Sequence, residues 1–293
     1  MPVDRSPLGA FLRSRRDRLT PAQAGIAPFP GPRRVPGLRK EELAFLAGLS
    51  ADHYSRLEQG RQQTVTDDVV DALTTALQLD DVETAHLRHL AAPVARHRRR
   101  APEPPTRADP GMLRLLATLD HVPALLLGRR SDVLASNHLV REVLGWPADP
   151  GASFVRWLFL DPPARERITN WSDFAASAVG ALRYEVGRRP DDRRLTTLVD
   201  ELRRDDADVA RWWDDHRVTF RTSLTKHVDH PVAGPLSFGI ESVVGPHDPD
   251  QRLVVYTVEP GSPTAQVLPM LTHWATSSGP PYPVPVTGTP RPT

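Results

Sequence analysis

The sequence predicts two structural classes in one chain. An all-α five-helix bundle is expected over residues 1–92, and an α+β sheet with covering helices over 110–277. Three observations predict this. Apolar residues recur at helical spacing through the first ninety positions. Strand-like apolar runs bounded by turn residues lie beyond residue 120. A Pro- and Arg-rich linker, 93–109, separates the two regions and reads as a semi-rigid spacer.

Leu8, Phe11 and Leu12 put an apolar stripe on a first helix over residues 8–19. The stretch from Arg39 to Gly60, RKEELAFLAGLSADHYSRLEQG, reads as two short helices joined by a tight turn. Glu41 and Glu42 favour the positive end of the first helix, and Leu43, Leu46 and Ala47 give its apolar face. Gly48 suits the left-handed residue that ends it. Ser50 is an N-cap for the second helix, whose Tyr54 and Leu57 point inward. Ala51, Asp52, His53, Ser55 and Arg56 remain on its outer and leading faces. Thr66 caps a fourth helix bearing Val69, Val70, Leu73, Ala76 and Leu77, and a fifth spans 81–91. This is the shape of a helix-turn-helix, whose second helix enters the DNA major groove; an ordinary helical hairpin is the alternative.

In the second region, Val122–Leu127 and Asp132–Ser136 read as strands around a turn, and His138–Leu144 as a helix. Helical stretches are expected over 164–187, 191–204 and 207–216. Strands follow over Val218–Thr225, Leu236–Val243 and Leu253–Thr257, and a last helix over 263–277. The tail 278–293, PPYPVPVTGTPRPT at its core, reads as disordered.

Net charge is +1, but it is unevenly placed. Residues 1–61 hold 11 Lys/Arg against 6 Asp/Glu, residues 62–92 hold 1 against 6, and the linker holds 5 against 2. Positive charge therefore gathers near the reading helix, where phosphate contacts need it. The long connection between the first two helices contains GPRRVPG. Its Arg33 and Arg34 fit either an arm touching phosphates or the minor groove, or a surface loop with two solvated arginines. Arg56 is the candidate for guanine or phosphate. Ala51 suits a thymine methyl, and Asp52 suits a cytosine amino group or the helix N-terminus. Arg39, Ser50, His53, Ser55 and Arg61 complete the residues expected at DNA.

The chain has no cysteine, which removes disulfide frameworks and thiolate metal sites. No apolar run is long enough to span a bilayer, and no signal-peptide core opens the chain, so the expectation is a cytoplasmic, nucleoid-associated protein without a membrane partner. No Walker loop, GxGxxG, HExxH or GxSxG occurs, so no catalytic residues are expected. The cluster KHVDH, with Lys226, His227, Asp229 and His230, invites a Zn²⁺ or Fe²⁺ reading. Strand alternation sends His227 and Asp229 to one side and His230 to the other, so no metal is expected there.

L-x-x-x-R near the start, PGLRKEELAFLAGLS and YSRLEQGR resemble the XRE, lambda-repressor-like class of DNA-binding domain. With VPALLLGRRSDVLASN, RWLFLDPPARE, PDDRRLTTLVDEL and LVVYTVEPGSP, the chain resembles the MmyB-like transcription regulators over residues 8–276. The resemblance implies a PAS-like second domain that binds a small apolar, fatty-acyl-like ligand, with no required cofactor. Trp146, Phe154, Trp157, Leu158, Trp171 and Phe174 are the candidates to line its pocket, and they equally suit a plain core. Asn137 matches the family asparagine that ends the second strand, with Ser136 where the family places Trp; from its position alone it suits a helix cap. A homodimer on a palindromic double-stranded operator is expected. The alternative is a regulator whose second domain is a protein-interaction or dimerisation module without a ligand.

Overall fold

In the computed structural model, residues 6–33, 35–62, 65–92, 107–218, 224–245 and 248–277 are described. Arg34, the linker up to residue 106 and the tail 278–293 fall outside them, and so do the expectations placed there.

Helix α1 (Pro7–Arg18) starts at Ser6, whose hydroxyl accepts from Gly9 N at 3.2 Å. Pro7 sits in the first turn, where a missing N–H costs nothing. The hairpin is α2 (Lys40–Leu46) and α3 (Ala51–Glu58). Gly48 leaves α2 with φ +63°, and Ser50 Oγ accepts from His53 N at 3.1 Å to open α3. Helix α4 (Asp67–Ala76) departs from expectation at its start: Thr66 is in the N-cap position but makes no capping bond. Asp67 and Asp68 instead face the helix dipole. Helix α5 (Asp81–Ala91) has a reciprocal cap, with Glu83 N donating to Asp80 Oδ1 at 2.8 Å and Asp80 N to Glu83 Oε2 at 3.3 Å. Leu8, Phe11, Leu12, Leu38, Leu43, Tyr54, Leu57, Leu73 and Leu87 meet in one buried core. Each large apolar side chain buried there contributes roughly 1.5–3 kcal/mol.

The second region begins with α6 (Pro110–Ala117), then β1 (Ala124–Leu127), β2 (Val133–Ser136) and α7 (His138–Leu144). Helices α8 (Phe154–Leu160), α9 (Pro162–Arg167), α10 (Trp171–Arg188), α11 (Arg193–Asp205) and α12 (Ala207–Asp214) follow. Strands β3 (Leu224–His230), β4 (Gly234–Val244) and β5 (Arg252–Thr257) precede α13 (Pro263–Ser277). The strands form an antiparallel sheet in the order β2-β1-β5-β4-β3, so the expected α+β class holds.

Four elements differ from the sequence expectation, the first being α8, for which no helix was expected over 154–160. Helix α6 was not foreseen; its Met112 and Leu116 cover Ala124, Leu126, Ala135 and Leu253 on one face of the sheet. All four residues of β1 are buried, Ala124 and Leu126 of them under α6. The helix expected over 164–187 is two helices. The break at Ile168–Asn170 closes the edge of β3: Ile168 bridges Val228, Asn170 Nδ2 donates to Thr225 O at 2.8 Å, and Asn170 Oδ1 accepts from His227 N at 2.9 Å. Of the strand expected over 218–225, residues 219–223 lie outside the described residues; Leu224 and Thr225 open β3, and Val218 packs into the helical core.

The chain divides into two compact units. One comprises residues 1–104 with 175–221, the other 105–174 with 222–293. The boundary falls inside α10, between Phe174 and Ala175. In the first unit, the five-helix bundle carries the rest of α10, α11 and α12 on its flank. Tyr184 packs on the bundle core, and Arg15 and Arg18 of α1 donate to the carbonyls of His216 and Asp215. Among the described residues, no helix is long and apolar enough to cross a membrane.

Candidate DNA-reading face and ligand-binding core

Helix α3 is held from behind by buried polar chemistry. Arg16 Nη2 donates to Glu58 Oε1 at 2.9 Å, and its Nη1 to Leu38 O at 2.6 Å. Both side chains are buried, so the last turn of α3 is tied to α1. Burial, with the Glu58 charge behind it, pushes the Tyr54 phenol up, and it stays neutral. What α3 leaves outward is Ala51, Asp52 and Arg56, all exposed, with His53 and Ser55 half-buried beside them. Arg56 Nη2 lies 3.2 Å from Asp52 Oδ2, one turn earlier. The Ser50 hydroxyl is used as the cap. Ser55 Oγ accepts from Gln59 Nε2 at 3.1 Å and from Lys40 Nζ at 3.4 Å, which draws an ammonium from α2 to the α3 face. Arg61 is exposed just beyond, its amide closing on Arg56 O at 2.9 Å.

Of the two arginines of the arm, Arg33 alone is among the described residues. Arg33 Nη2 turns inward to Glu42, 2.8 Å from Oε1, and its Nη1 donates to Gly37 O. Glu42 is fully buried and also accepts from Phe29 N at 3.0 Å and Arg39 N at 2.7 Å. Burial works to raise its carboxyl, but the backbone donors and Arg33 outweigh it and hold the group below the usual carboxylate range. Arg39 donates to Pro30 O at 2.9 Å and to Gly31 O. Arg33 and Arg39 therefore staple the long connection to the start of α2, a role with no signal in the local sequence pattern.

In the second unit, the aromatic candidates converge. Trp146 and Trp157 stack with centroids 4.8 Å apart and planes 13° apart. Phe154 lies 6.0 Å from Trp146, 5.6 Å from Trp157 and 6.4 Å from Phe174. Trp171 and Leu158 are joined separately, the indole Nε1 donating to Leu158 O at 2.8 Å. Asn137 is directed elsewhere. Its amide donates to Leu119 O at 2.6 Å and Val122 O at 2.7 Å, and accepts from Ala124 N at 3.1 Å. It fixes the chain entering β1 and makes no capping bond to α7.

The KHVDH residues alternate along β3. Lys226, Val228 and His230 face inward, and His227 and Asp229 are exposed. His230 Nδ1 accepts from Val232 N at 3.2 Å and Ala233 N at 3.0 Å, and its Nε2 contacts Glu142 O at 3.0 Å. It pins the turn after β3, and burial lowers its pKa. A separate cleft of about 260 Å³ in the first unit is lined by Ala176, Gly180, Arg211, Trp212, Asp215 and Arg217, a mixed polar wall unlike the aromatic cluster.

Residues 7–87 match the helix-turn-helix domain family. Residues 108–271, more than half of the chain, match the MmyB-like transcription regulator ligand binding domain. The chain belongs to the MmyB-like transcription regulators. No curated protein matches it. As an MmyB-like regulator it joins a DNA-binding domain to a small-ligand-binding domain, and is a ligand-modulated regulator of transcription. Both matched families are of regulator rather than enzyme type. In this MmyB-like chain, sequence reasoning missed Lys40 and Gln59, which both bond Ser55 on the α3 face. One signal was present for the first: Lys40 is one of two lysines among 37 basic residues.

Proposed function

We propose that the protein binds a palindromic double-stranded operator as a homodimer, with α3 in the major groove, and that a small apolar, fatty-acyl-like ligand in the second unit sets its DNA affinity. The DNA half is supported by one arrangement: an exposed Ala51–Asp52–Arg56 surface on a helix whose inner end is fixed by the buried Arg16–Glu58 pair. Two such helices about 34 Å apart, one DNA turn, reach successive major grooves and double the base contacts. Arg56 supplies a guanidinium for guanine, Ala51 a methyl for thymine, and Asp52 an acceptor for cytosine once Arg56 turns to DNA. Lys40, Arg61 and the half-buried Ser55 and His53 lie around them for phosphate oxygens. The ligand half is supported by the clustering of Trp146, Phe154, Trp157 and Phe174. Such a cluster offers an apolar chain flat, polarisable walls.

The experiment is selection of bound fragments from chromosomal DNA, followed by footprinting with and without a lipid extract. Native mass spectrometry of protein purified from cells accompanies it. The expected result is a palindromic footprint with half-sites about one DNA turn apart, an apolar mass on the protein, and an altered footprint when lipid is added. A footprint that never responds, with no bound mass in repeated preparations, would reduce the second unit to a protein-interaction module.

A further inference from the structure

We infer that the buried guanidinium of Arg183 in the first unit is the anchor of an anion site, and that the ligand is a small free oxyanion of the phosphate or sulfate type. The inference does not depend on the operator or the apolar ligand proposed above.

Arg183 lies on α10 and is 8% exposed. Its Nη1 contacts the ring Nδ1 of His216 at 3.1 Å, and its Cζ lies 4.2 Å from the centroid of the Trp213 ring. Neither partner carries a charge at neutral pH, because burial, then the charge of Arg183 itself, pushes the His216 pKa down to about 4. Among the described residues, no atom accepts from Arg183 Nε or Nη2, and both are buried. These two N–H groups share one edge of the guanidinium. That edge is the fork that takes two oxygens of a single carboxylate, phosphate or sulfate.

The surroundings of the fork are positive. Arg15 of α1, also buried, donates to the His216 carbonyl, so two guanidiniums meet on one residue. Arg203 of α11 lies 6.0 Å from the centroid of the same Trp213 ring. The nearby carboxylates are held by other arginines: Glu83 pairs with Arg15, and the exposed Asp214 lies 3.5 Å from Arg203. Burial, then the charges of Arg15 and Arg203, push the Arg183 pKa down to about 9, so the group is still a cation at neutral pH. A buried cation without a counter-charge is costly, and a water molecule satisfies its donors without offsetting that charge. The backbone is strained to build the arrangement. His216 has φ +53°, a left-handed conformation that disfavours a side chain, and from it turns its ring to Arg183 and its carbonyl to Arg15.

The geometry selects the ligand. Because Nε and Nη2 are both buried, an ion with no organic substituent suits the fork better than a phosphoryl group on a larger molecule. Chloride offers one acceptor atom where the fork matches two.

The test is calorimetric titration of the full chain with inorganic phosphate, phenyl phosphate and chloride at constant ionic strength. The wild-type protein is expected to bind one phosphate per chain, about tenfold or more tightly than either other probe, the scale of a charge-assisted hydrogen bond. Arg183→Met is expected to lose phosphate binding. Arg88→Ala, which removes an exposed arginine of the same unit, is expected to keep it. No saturable phosphate binding by the wild type overturns the site, as does full binding by Arg183→Met or equal loss in both variants. Chloride bound as tightly as phosphate overturns the oxyanion assignment, and phenyl phosphate bound as tightly overturns the free ion. Should Arg183→Met fail to fold, Arg183→Lys keeps the charge and deletes the fork. It should bind phosphate about tenfold more weakly than the wild type, and unchanged binding overturns the fork.

Discussion

Asp52 and Arg56 form an ion pair across one turn of the exposed face of α3, with Oδ2 and Nη2 3.2 Å apart. Both side chains are more than half exposed, so the pair adds at most a few tenths of a kcal/mol to stability. Its importance lies in binding, since the arginine must leave the carboxylate to reach a base. Arg56→Ala is predicted to weaken operator binding by about 1–3 kcal/mol. Asp52→Asn should free the guanidinium and raise affinity for random DNA more than for the operator. Fluorescence anisotropy against both DNAs measures this. Unchanged affinities in Arg56→Ala would remove α3 as the reading helix.

Arg33 is predicted to act on stability rather than on phosphate contacts. Its removal leaves the buried Glu42 carboxylate short of one partner, which costs about 1–3 kcal/mol for such a group. The slope of log affinity against log salt should be unchanged in Arg33→Ala. A phosphate-bound arginine would instead lower it by about 0.9.

Glu58 is the other buried carboxylate of the hairpin. Glu58→Ala leaves the buried Arg16 guanidinium with Asp17 and the Leu38 carbonyl as its remaining partners and should cost about 1–3 kcal/mol in urea unfolding. The double variant Arg16→Met/Glu58→Leu should recover much of that loss, because it removes both charges together. A double variant as unstable as the single one would mean that the pair's geometry, not its charge, is what the fold requires.

Gly187 of α10 lies directly against His86 of α5. A Cβ at Gly187 would stand 2.5 Å from His86 Cε1 and 2.7 Å from Nδ1, and the ring is buried against Phe11 at 5.1 Å. Gly187→Ala is predicted to cost about 1–3 kcal/mol by overpacking. Combining it with His86→Ala should cost less than the two single changes together, a coupling that a double-mutant cycle reads directly. Strict additivity would show that the two residues do not press on each other in solution.

The first unit should weaken in acid. Burial, then the charge of Arg183, pushes the His86 pKa down to about 3, and the same two causes push that of His216 down to about 4. Unfolded, both return to near 6.5, so below that pH the unfolded chain binds the extra protons. Their contribution is therefore complete above about 6.5 and lost as pH falls toward 3–4, by up to about 1.4 kcal/mol per pH unit for each histidine. Urea midpoints between pH 7 and pH 5 should fall in the wild type and fall less in His86→Phe. Equal slopes would assign the acid sensitivity elsewhere.

The bundle was legible because its determinants are local. Gly48 and Ser50 mark the turn with backbone and capping preferences that hardly depend on the rest of the chain. Tyr54 and Leu57 declare the inward face by spacing alone. What stayed hidden depends on partners distant in sequence. Arg33 looks like a free arginine until Glu42 is known to be buried beside it. Asn137 looks like a cap until the carbonyls of Leu119 and Val122 are seen to claim its amide. Ile168–Asn170 read as mid-helix because only the edge of β3, nearly sixty residues later, gives the break its use. The sequence companions of Lys226, His227 and Asp229, point away from it, and its spatial companions Phe174 and Tyr256 come from other elements.

The placement of residues 175–221 on the flank of the helical bundle has a practical consequence. The DNA reader of this chain is not a detachable cassette. A chimera spliced at the Pro/Arg-rich stretch, the join that sequence inspection recommends, would transplant the bundle without Tyr184, Gly187 and Val218. It would bare the His86 and His89 rings that Tyr184 covers and leave Arg15 and Arg18 without the carbonyls they bind. Working hybrids will have to carry that flank along with the reader, taking it from the middle of what looks like the sensor.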